Sequence, residues 1–404
     1  MKEYLTISAR IFPTVQQIEQ FNKLSNIAKN IYNHFLLENE KLFKEKKKIL
    51  ELYETHKQLT ILKKDKPDWQ LLNSKCSQRV LKSLYSNYKS FYNLIKKDKT
   101  VKPPQEIKHN FFKTLIFNQS GWIIKENNII EINKIELKYK SKVDITKVKI
   151  KEIAIINRKN KWLLSIVIEK ELPNYKTKDH KILAIDLGLK RLATGIDSDE
   201  QLIKIPNKAK KIDKYFGKQI AKIQKKKSKC QKGSKRYRYL SKIISKKYHK
   251  KNSQKKQNLH IQVNKLLNMN YSIIVVGDLQ VKKLMQLENN KHSKVSKSFG
   301  SSNIGMFMEI LKYKALRKGT EVINVNEANT TQVNCLTGKK FPDRIELNDR
   351  IVKISKDIII DRDLNSAINI YNRWYLQHIA CLTGPLEISS VLMRYNLVKE
   401  SPLL

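Results

Sequence analysis

The chain has 404 residues, in which 82 lysines and arginines face 37 aspartates and glutamates, giving a formal net charge of +45. A charge of this size needs a polyanionic partner. Nucleic acid is expected rather than a membrane, because the basic residues are spread over the chain and no apolar run could span a bilayer. The hydrophobic content of 40% excludes a disordered basic tail, and the length predicts two or three domains.

The cysteines indicate a reducing compartment. The four of them lie far apart and form no CxxC pair; they are Cys76, Cys230, Cys335 and Cys381. This pattern is typical of a cytoplasmic or nuclear protein without a disulfide framework. The first 14 residues alternate and lack the apolar core of a signal peptide. We therefore expect a cytoplasmic, nucleoid-associated protein, or a nuclear one if the source is eukaryotic or viral.

The N-terminal region predicts one strand followed by helices. Residues 3–10 alternate like a strand, and Pro13 ends it. Thr14 and Gln17 then form a capping box at the start of a helix with apolar residues at helical spacing. A second helix is predicted after Pro67.

Residues 110–170 change to short β-branched runs separated by turns. The runs at 153–157 and 162–169 flank a polar turn and predict a hairpin. We therefore expect a small β-barrel or sheet domain here, joined to the following part of the chain by a linker at 174–180.

The stretch from Lys181 to Gly195 predicts two strands joined by a tight turn. An apolar run ends in Asp186, a glycine-containing turn follows, and a second apolar run begins. A carboxylate at the mouth of an apolar strand is costly unless it has a partner, and a cation is the obvious one. Asp186 is therefore the first candidate for a metal site.

Residues 206–258 are densely basic and carry apolar residues at helical spacing, among them Ile220, Tyr239 and Leu240. A charge run is usually only a solvated helix face. A helical hairpin at 207–257, with one face on a core and the other on phosphates, explains both features. We predict that it binds the nucleic-acid backbone without reading bases. The candidate contact residues are Lys225, Lys226, Lys227, Lys232, Lys235, Arg236, Arg238, Lys246 and Lys247.

Later segments also bring acids to the ends of apolar strands. Asp278 and Glu327 each follow an apolar run, and Asp361 and Asp363 lie between a short apolar run and a helix. Strand ends are where sites form in α/β sheets, and converging carboxylates can hold Mg²⁺ ions that clamp a phosphodiester. In a very basic protein, such a cluster suggests hydrolysis of the bound nucleic acid.

Each acid also has a plain structural interpretation. Asp363 suits the N-cap of a helix at 364–374, Asp278 suits a cap or a turn, and Glu327 suits a solvent-facing strand end. Asp186 is the hardest to explain in this way, because a glycine turn follows it immediately. From spacing alone, a nuclease and a plain nucleic-acid-binding protein both remain open.

These motifs resemble those of a known family, the TnpB or OrfB-type proteins of insertion sequences, which are related to type V CRISPR effectors and eukaryotic Fanzor proteins. The family's first RuvC motif resembles AIDLGLKRLAT, its basic hairpin resembles KGSKRYRYLSKIISKKYHK, its second RuvC motif resembles IIVVGDLQVKKLM, and its third resembles DRDLNSAINI. Further similarity lies in the N-terminal RIFPTVQQ and in LKYKALRKGTEVINVNEANTTQVNC. The resemblance therefore extends over nearly the whole chain.

The resemblance implies an α/β fold with added helical and small β domains. An RNase H-like RuvC nuclease domain would be accompanied by an N-terminal helical recognition domain and an oligonucleotide-binding-like β wedge domain. The implied segments are a first wedge strand at 1–12, the helical domain at 13–105, the wedge at 106–178, the RuvC-like domain at 179–334 and 357–404, and a degenerate zinc-ribbon insertion at 335–356. It further implies a guide RNA, a double-stranded DNA target and Mg²⁺ or Mn²⁺, with Asp186 matching the first catalytic acid and Asp363 the third.

The second motif departs from the family. It usually begins Glu-Asp-Leu, but Gly277 stands where the glutamate is expected. Some relatives, Fanzor-like ones included, carry a relocated glutamate shortly before a threonine-containing segment, and Glu327 matches that pattern. We therefore predict that Glu327 replaces the missing acid. Asp278 cannot step in, because one residue along a strand turns the side chain to the other face.

The zinc ribbon is the second departure. The family has two CxxC pairs there, of which only Cys335 remains, with Gly338 where the next cysteine would fall. One thiol cannot make a tetrahedral zinc site, so we expect no structural zinc and a metal-free loop or short hairpin at 335–356. Cys335 is then expected to be a small buried residue.

The sequence thus predicts an RNA-guided, metal-dependent DNA endonuclease with Asp186, Glu327 and Asp363 as catalytic metal ligands. A nuclease-dead, RNA-guided DNA-binding repressor is one alternative, favoured by the missing glutamate and the reduced ribbon. An accessory role in DNA transposition is another, although we find no strand-end tyrosine with a metal-binding histidine pair that would support a covalent transposition step.

Overall fold

The computed structural model of the chain describes residues 2–46, 48–108, 112–158, 161–171, 181–279, 302–346, 349–378 and 386–397. The chain divides into two compact units, Met1–Leu172 and Pro173–Leu404. The linker predicted at 174–180 lies outside the described residues. No helix within the described ranges combines the length and apolar character needed to cross a bilayer.

The first unit combines helices with an antiparallel sheet. Its helices are α1 (Val15–Lys46), α2 (Leu52–Asp65), α3 (Pro67–Gln70) and α4 (Ser74–Ile95). Its strands are β1 (Lys2–Ile11), β2 (Leu115–Asn118), β3 (Trp122–Lys125), β4 (Ile129–Ile132), β5 (Ile135–Lys140), β6 (Lys149–Arg158) and β7 (Lys161–Glu171). The strand order is β2-β6-β7-β1-β5-β4-β3, so the N-terminal strand lies in the middle of the sheet.

Local sequence explains how these elements begin and pack. The backbone N–H of Thr14 donates to Gln17 Oε1 at 2.8 Å, and the N–H of Gln17 donates to Thr14 Oγ1 at 3.3 Å, which confirms the capping box before α1. Alternate residues of β7, such as Trp162 and Leu164, are buried. They share one hydrophobic core with α1 and α4. The finer domain boundaries drawn from the sequence stay a prediction.

The second unit is built on a mixed sheet. The sheet consists of β8 (Ile182–Leu187), β9 (Arg191–Asp197), β10 (Leu202–Pro206), β11 (Ile273–Gly277) and β12 (Glu321–Val325). A separate two-stranded sheet consists of β13 (Ile351–Lys353) and β14 (Ile359–Asp361). The helices of the second unit are α5 (Ala209–Ser228), α6 (Lys235–Leu267), α7 (Ile304–Leu316), α8 (Arg362–Gln377) and α9 (Ile388–Arg394). The strand order of the mixed sheet is β10-β9-β8-β11-β12, with β8, β11 and β12 parallel and β9 antiparallel to both of its neighbours. This sheet, with the helical and β-rich first unit, confirms the predicted fold class.

Alternation along β8 sends its side chains to two different cores. Ala184 packs in the core that α8 completes, whereas Leu183 packs in the core that α6 and α7 complete. Val275 of β11 and Val325 of β12 belong to the α8 core as well. Since residues two apart share a face, Asp186 faces α8 too. The carboxyl ends of three parallel strands and the start of α8 therefore come together at one edge of the sheet.

Candidate active site

Asp186 lies one residue before the end of β8, among buried apolar neighbours, and keeps part of its own surface exposed. Burial raises the pKa of Asp186 well above its ordinary value, and the negative charges of Asp363 and then Glu327 raise it further. The cation Arg362 and the N–H of Leu187 act in the opposite direction. The charges of Asp363 and Glu327 therefore both act on Asp186.

Gly277 ends β11 on the α8 side of the sheet, next to Asp186 in the strand register, since Ile185 pairs with Val276. A Cβ added at Gly277 would lie 2.5 Å from Oε2 and 3.1 Å from Cβ of Glu327. Carbon and oxygen atoms that are not bonded keep about 3.3–3.6 Å apart even in their closest favourable contacts. The carboxylate of Glu327 thus occupies the volume that a side chain at position 277 would take.

Glu327 is held in an unusual environment for an acid. It lies two residues beyond β12, and its Oε2 is buried, with no hydrogen-bond partner among the residues that the structure describes. Burial, and then the negative charge of Asp278, raise the pKa of Glu327 to about 7. Asp278 itself is exposed, and its backbone N–H donates to the carbonyl of Val325 at 2.8 Å. Glu327 is therefore not the solvent-facing strand end that its sequence position also suggested.

Asp363 lies in the first turn of α8, where the positive end of the helix dipole favours a carboxylate. The capping residue is Asp361, whose side chain accepts a hydrogen bond from the N–H of Asp363 at 2.9 Å. The interpretation of Asp363 as the N-cap is therefore wrong. Because Asp361 caps the helix, the carboxylate of Asp363 is not used for capping and is available to the site.

Two arginines that the sequence analysis did not single out lie beside these acids. Arg191, at the start of β9, forms an ion pair with Asp361, and its Nη1 lies 4.0 Å from Oδ2 of Asp363. Arg362 Nη2 lies 3.5 Å from Oδ1 of Asp363. The only signal for Arg191 in the sequence is its place directly after the glycine turn that follows Asp186.

The loop that carries Glu327 is fixed to α8 by amide side chains. Thr330 donates to the carbonyl of Glu327 through its N–H at 3.1 Å and through Oγ1 at 3.0 Å. Asn369 donates in turn to the carbonyls of Thr330 and Val333 at 2.9 and 2.7 Å, and Asn365 donates to the same two at 3.4 and 2.8 Å. The helix that presents Asp363 therefore also positions Glu327.

The residues around this point fit a hard divalent cation in their chemistry. Within the described ranges, no three Asp, Glu, His or Cys side chains already form a group that could hold a metal ion. The three acids therefore lie near one another, but their carboxylates are not arranged as the ligands of one metal ion. They nevertheless supply oxygen donors. The charges of Asp363 and Glu327 repel that of Asp186 and raise its pKa, and Oε2 of Glu327 has no hydrogen-bond partner in the described parts of the chain. A bound Mg²⁺ would offset that repulsion and satisfy that atom.

The predicted basic hairpin consists of α5 and α6. Most of its candidate contact residues are exposed, namely Lys225, Lys226, Lys232, Lys235, Arg236, Arg238 and Lys246. The other two are partly buried: Lys227 lies 4.4 Å from the ring centre of Tyr237, and Lys247 donates to Gln219 Oε1 at 2.6 Å. Tyr239, predicted on the apolar face, is 63% exposed. The reason is that apolar burial along α6 begins only near Leu259.

The segment around Cys335, predicted as a degenerate zinc ribbon, is held by hydrogen bonds within the chain. Cys335 is 3% exposed, its N–H donates to Asn365 Oδ1 at 3.0 Å, and burial raises the pKa of its thiol to about 12. Asn334 donates to the carbonyl of Ile354 at 2.9 Å, and Val333 forms an isolated antiparallel bridge with Lys340. Cys335 is therefore a buried residue, as predicted.

Comparison with protein families gives three separate matches along the chain. A family described as a probable transposase, of the OrfB/IS605 type, matches residues 165–288. A Cas12f1-like TNB domain matches residues 305–370, and a helix-turn-helix domain of the OrfB/IS605 type matches residues 1–48. The last segment folds here as β1 followed by α1. The first two matches cover the strand ends and the helix that form the candidate site.

Known proteins and structures agree with these matches. Two TnpB-like proteins of Acanthamoeba polyphaga mimivirus are each 28% identical to the chain over 227 residues, which cover 52% of this chain and 42% of each relative. The chain thus matches less than half the length of these relatives. A structure described as a Cas12f1–sgRNA–target DNA complex is similar in fold, with a TM-score of 0.55 at 15% identity, over 88% of this chain and 82% of that one.

Proposed function

Since the chain is a TnpB-type protein of the OrfB class, we propose that it is an RNA-guided DNA endonuclease. Asp186, Glu327 and Asp363 form its catalytic site, and the chain hydrolyses phosphodiesters of a double-stranded DNA target. The observation that carries this proposal is the position of Glu327. Its carboxylate fills the space of the missing side chain at Gly277, beside Asp186.

The three acids would hold Mg²⁺ or Mn²⁺, which supplies an activated water and neutralises the charge of the reacting phosphate. The chain contributes the arrangement. Gly277 leaves room for the carboxylate of Glu327, and the amides of Asn365 and Asn369 fix the loop behind it. The first turn of α8 presents Asp363 at the positive end of the helix dipole. No separate general base is required from the side chains.

The nucleic-acid partners follow from charge and resemblance. The net charge of +45 and the exposed cations of α5 and α6 support binding of a guide RNA and its DNA target through phosphates. In this family base pairing reads the sequence, so the protein needs backbone contacts more than base contacts. The similar Cas12f1 structure was described with an sgRNA and target DNA. The segment at 335–356 would take part without zinc.

A nuclease-inactive, RNA-guided DNA-binding protein is the second candidate. The observation that favours it is the pair of arginines at Asp363, because Arg191 and Arg362 partly neutralise an acid that a metal would need. The two candidates share the guide RNA and the DNA target. They differ only in whether the bound DNA is cut.

The experiment that tests the proposal begins with the RNA. The full chain is purified with the RNA that it carries, that RNA is sequenced, and matching double-stranded DNA flanked by randomised sequence is incubated with the complex and Mg²⁺. We expect the wild type to cut, and Asp186→Ala to cut at least about 100-fold more slowly. Loss of a residue that only supports a metal ligand already costs up to about 100-fold in activity, and Asp186 is proposed as a ligand itself. Specific binding of matched DNA without cutting would instead identify the inactive protein.

A further inference from the structure

A cavity of about 320 Å³ opens beside the candidate active site, on the side of the sheet that α8 covers. Its charged lining residues are Lys190, Arg191, Lys204, Arg350, Asp361 and Asp363. Four cations therefore meet two carboxylates in one recess. We propose that this recess binds a phosphate group of the DNA strand held at the candidate active site, an inference that rests on the proposed function.

Sheet register places the cations relative to the acids. Asp186 of β8 pairs with Thr194 of β9, and Thr194 pairs with Lys204 of β10. The three residues form one row across the sheet. Leu202, two residues before Lys204, packs on the α8 core, so Lys204 points to the same face as Asp186. Asp186 and Lys204 are two strand spacings apart, which is about 10 Å. If one phosphate of the DNA strand lies at Asp186, the flexible side chain of Lys204 can therefore reach the neighbouring phosphate.

The turn between β8 and β9 supplies the second pair of cations. Lys190 is exposed, and Arg191 is partly buried against Asp361. Both ion pairs of Arg191 with these acids use Nη1. The guanidinium has five N–H donors in a fork, so Nη2 and Nε keep donors for an oxyanion. Arg191 can therefore hold Asp361 and a phosphate at once.

The charges in the recess do not cancel. Arg191 is offset by Asp361, which leaves Lys190, Lys204 and Arg350 against Asp363. Within the described parts of the chain, the structure gives none of these three cations a carboxylate partner. An excess of positive charge in a partly enclosed space attracts anions more strongly than the same charges on a flat surface. A phosphodiester is the anion that a nuclease site brings there.

Each lysine alone has a plainer explanation. Lys204 lies on the edge strand β10, where lysine discourages pairing with other chains. Lys190 lies in a turn and needs no partner. That explanation covers neither the convergence of four cations on one recess nor its position next to Asp363. Both features follow if the recess holds the strand beside the bond that is cut.

The test compares two double variants that remove the same charge. Lys190→Ala/Lys204→Ala removes the two lysines of the recess. The control, Lys265→Ala/Lys312→Ala, removes two exposed lysines from α6 and α7, which pack on the other face of the sheet. Binding of a fluorescein-labelled 12-nucleotide single-stranded DNA is measured with the RNA-bound full chain in EDTA, so that nothing is cut. The measurement is repeated over a range of salt concentrations.

For each phosphate that a variant no longer neutralises, we expect the slope of log K against log salt to shrink by about 0.7 and the affinity at 0.15 M salt to fall about fourfold. The recess variant should show this weakening and the control variant should not. Equal affinities of the two variants would overturn the inference. Because the assay contains no active metal, its result does not depend on whether the protein cuts DNA.

Amine-reactive labelling read by mass spectrometry gives a second measurement on the unmodified sequence. Added DNA should protect Lys190 and Lys204 in the RNA-bound chain and leave Lys265 and Lys312 reactive. If Lys190 and Lys204 are already protected before DNA is added, the bound RNA occupies the recess, and the assignment to the DNA strand is overturned.

Discussion

Gly277→Ala is the smallest change that tests how Glu327 is placed. The added Cβ would lie 2.5 Å from Glu327 Oε2 and 3.1 Å from Ile370 Cδ1. An ordinary closest approach of about 3.3–3.6 Å requires the carboxylate to retreat by roughly 1 Å. A 1 Å displacement at a reacting centre costs about 100-fold in rate. We therefore expect Gly277→Ala to cut RNA-matched DNA about 100-fold more slowly than the wild type.

The loss should come from the site and not from unfolding. Overpacking of this kind costs about 1–3 kcal/mol, which leaves a stable protein folded. The matched control is Gly305→Ala in α7, where an added Cβ meets no atom of the described residues within 4 Å. Single-turnover cleavage and thermal melting are measured for both variants. Wild-type cleavage by Gly277→Ala would refute the argument that Glu327 needs the space above Gly277.

A swap of the two residues extends this test. Gly277→Glu alone places two carboxylates in one volume, so steric overlap and like-charge repulsion should abolish cutting. Adding Glu327→Ala removes the competing group and returns the acid to the end of β11, next to Asp186. We expect the double variant to cut faster than either single variant. If it cuts no faster than Glu327→Ala, positions 277 and 327 do not serve one site.

Three further predictions address the same region. In metal-free protein, Glu327 has a pKa raised to about 7, so its contribution to stability is present below the unfolded pKa and is lost as the pH rises through about 7. The melting temperature of the wild type should therefore fall more steeply between about pH 5 and pH 8 than that of Glu327→Gln, and equal slopes would contradict it. Asn369→Leu removes one of the two amide donors to the carbonyls of Thr330 and Val333, while Asn365 still donates to both. The loss of two hydrogen bonds should lower the free energy of unfolding in urea by about 1–3 kcal/mol and slow cutting. Asn372→Leu on the same helix, for which the described structure records no side-chain hydrogen bond, should do neither. A zinc-selective chelator should leave the melting temperature unchanged, because hydrogen bonds of the chain hold the segment around Cys335; a chelator-induced drop would reveal a metal there.

Local patterns were sufficient to predict the framework of the site. Asp186 was recognisable because an apolar strand ends in it and a glycine turn follows. Alternation along β8 then decides which face it occupies. The capping box at Thr14 and the strand before Gly277 also follow from short-range rules that tertiary packing does not override here.

The remaining features depend on contacts between distant parts of the chain. The fit of Glu327 into the space at Gly277 joins residues 50 positions apart across two parallel strands, and no periodicity encodes it. Whether Asp361 or Asp363 caps α8 is decided by where the helix starts, within one residue. Tyr239 is exposed, not buried as its spacing predicts, because a helical pattern gives spacing but not the point at which a long helix leaves the core.

The central claim is that Glu327, and not Asp278, supplies the second acid of a working nuclease. The most direct measurement is the cleavage rate of RNA-matched DNA by Glu327→Gln and by Asp278→Asn, each as the RNA-bound full chain with Mg²⁺. Both substitutions remove one carboxylate at nearly constant volume. We predict that Glu327→Gln loses cutting. Asp278→Asn should stay within about tenfold of the wild type, the low end of the loss expected for a residue outside the ligand set. Cutting by Glu327→Gln at the wild-type rate would contradict it.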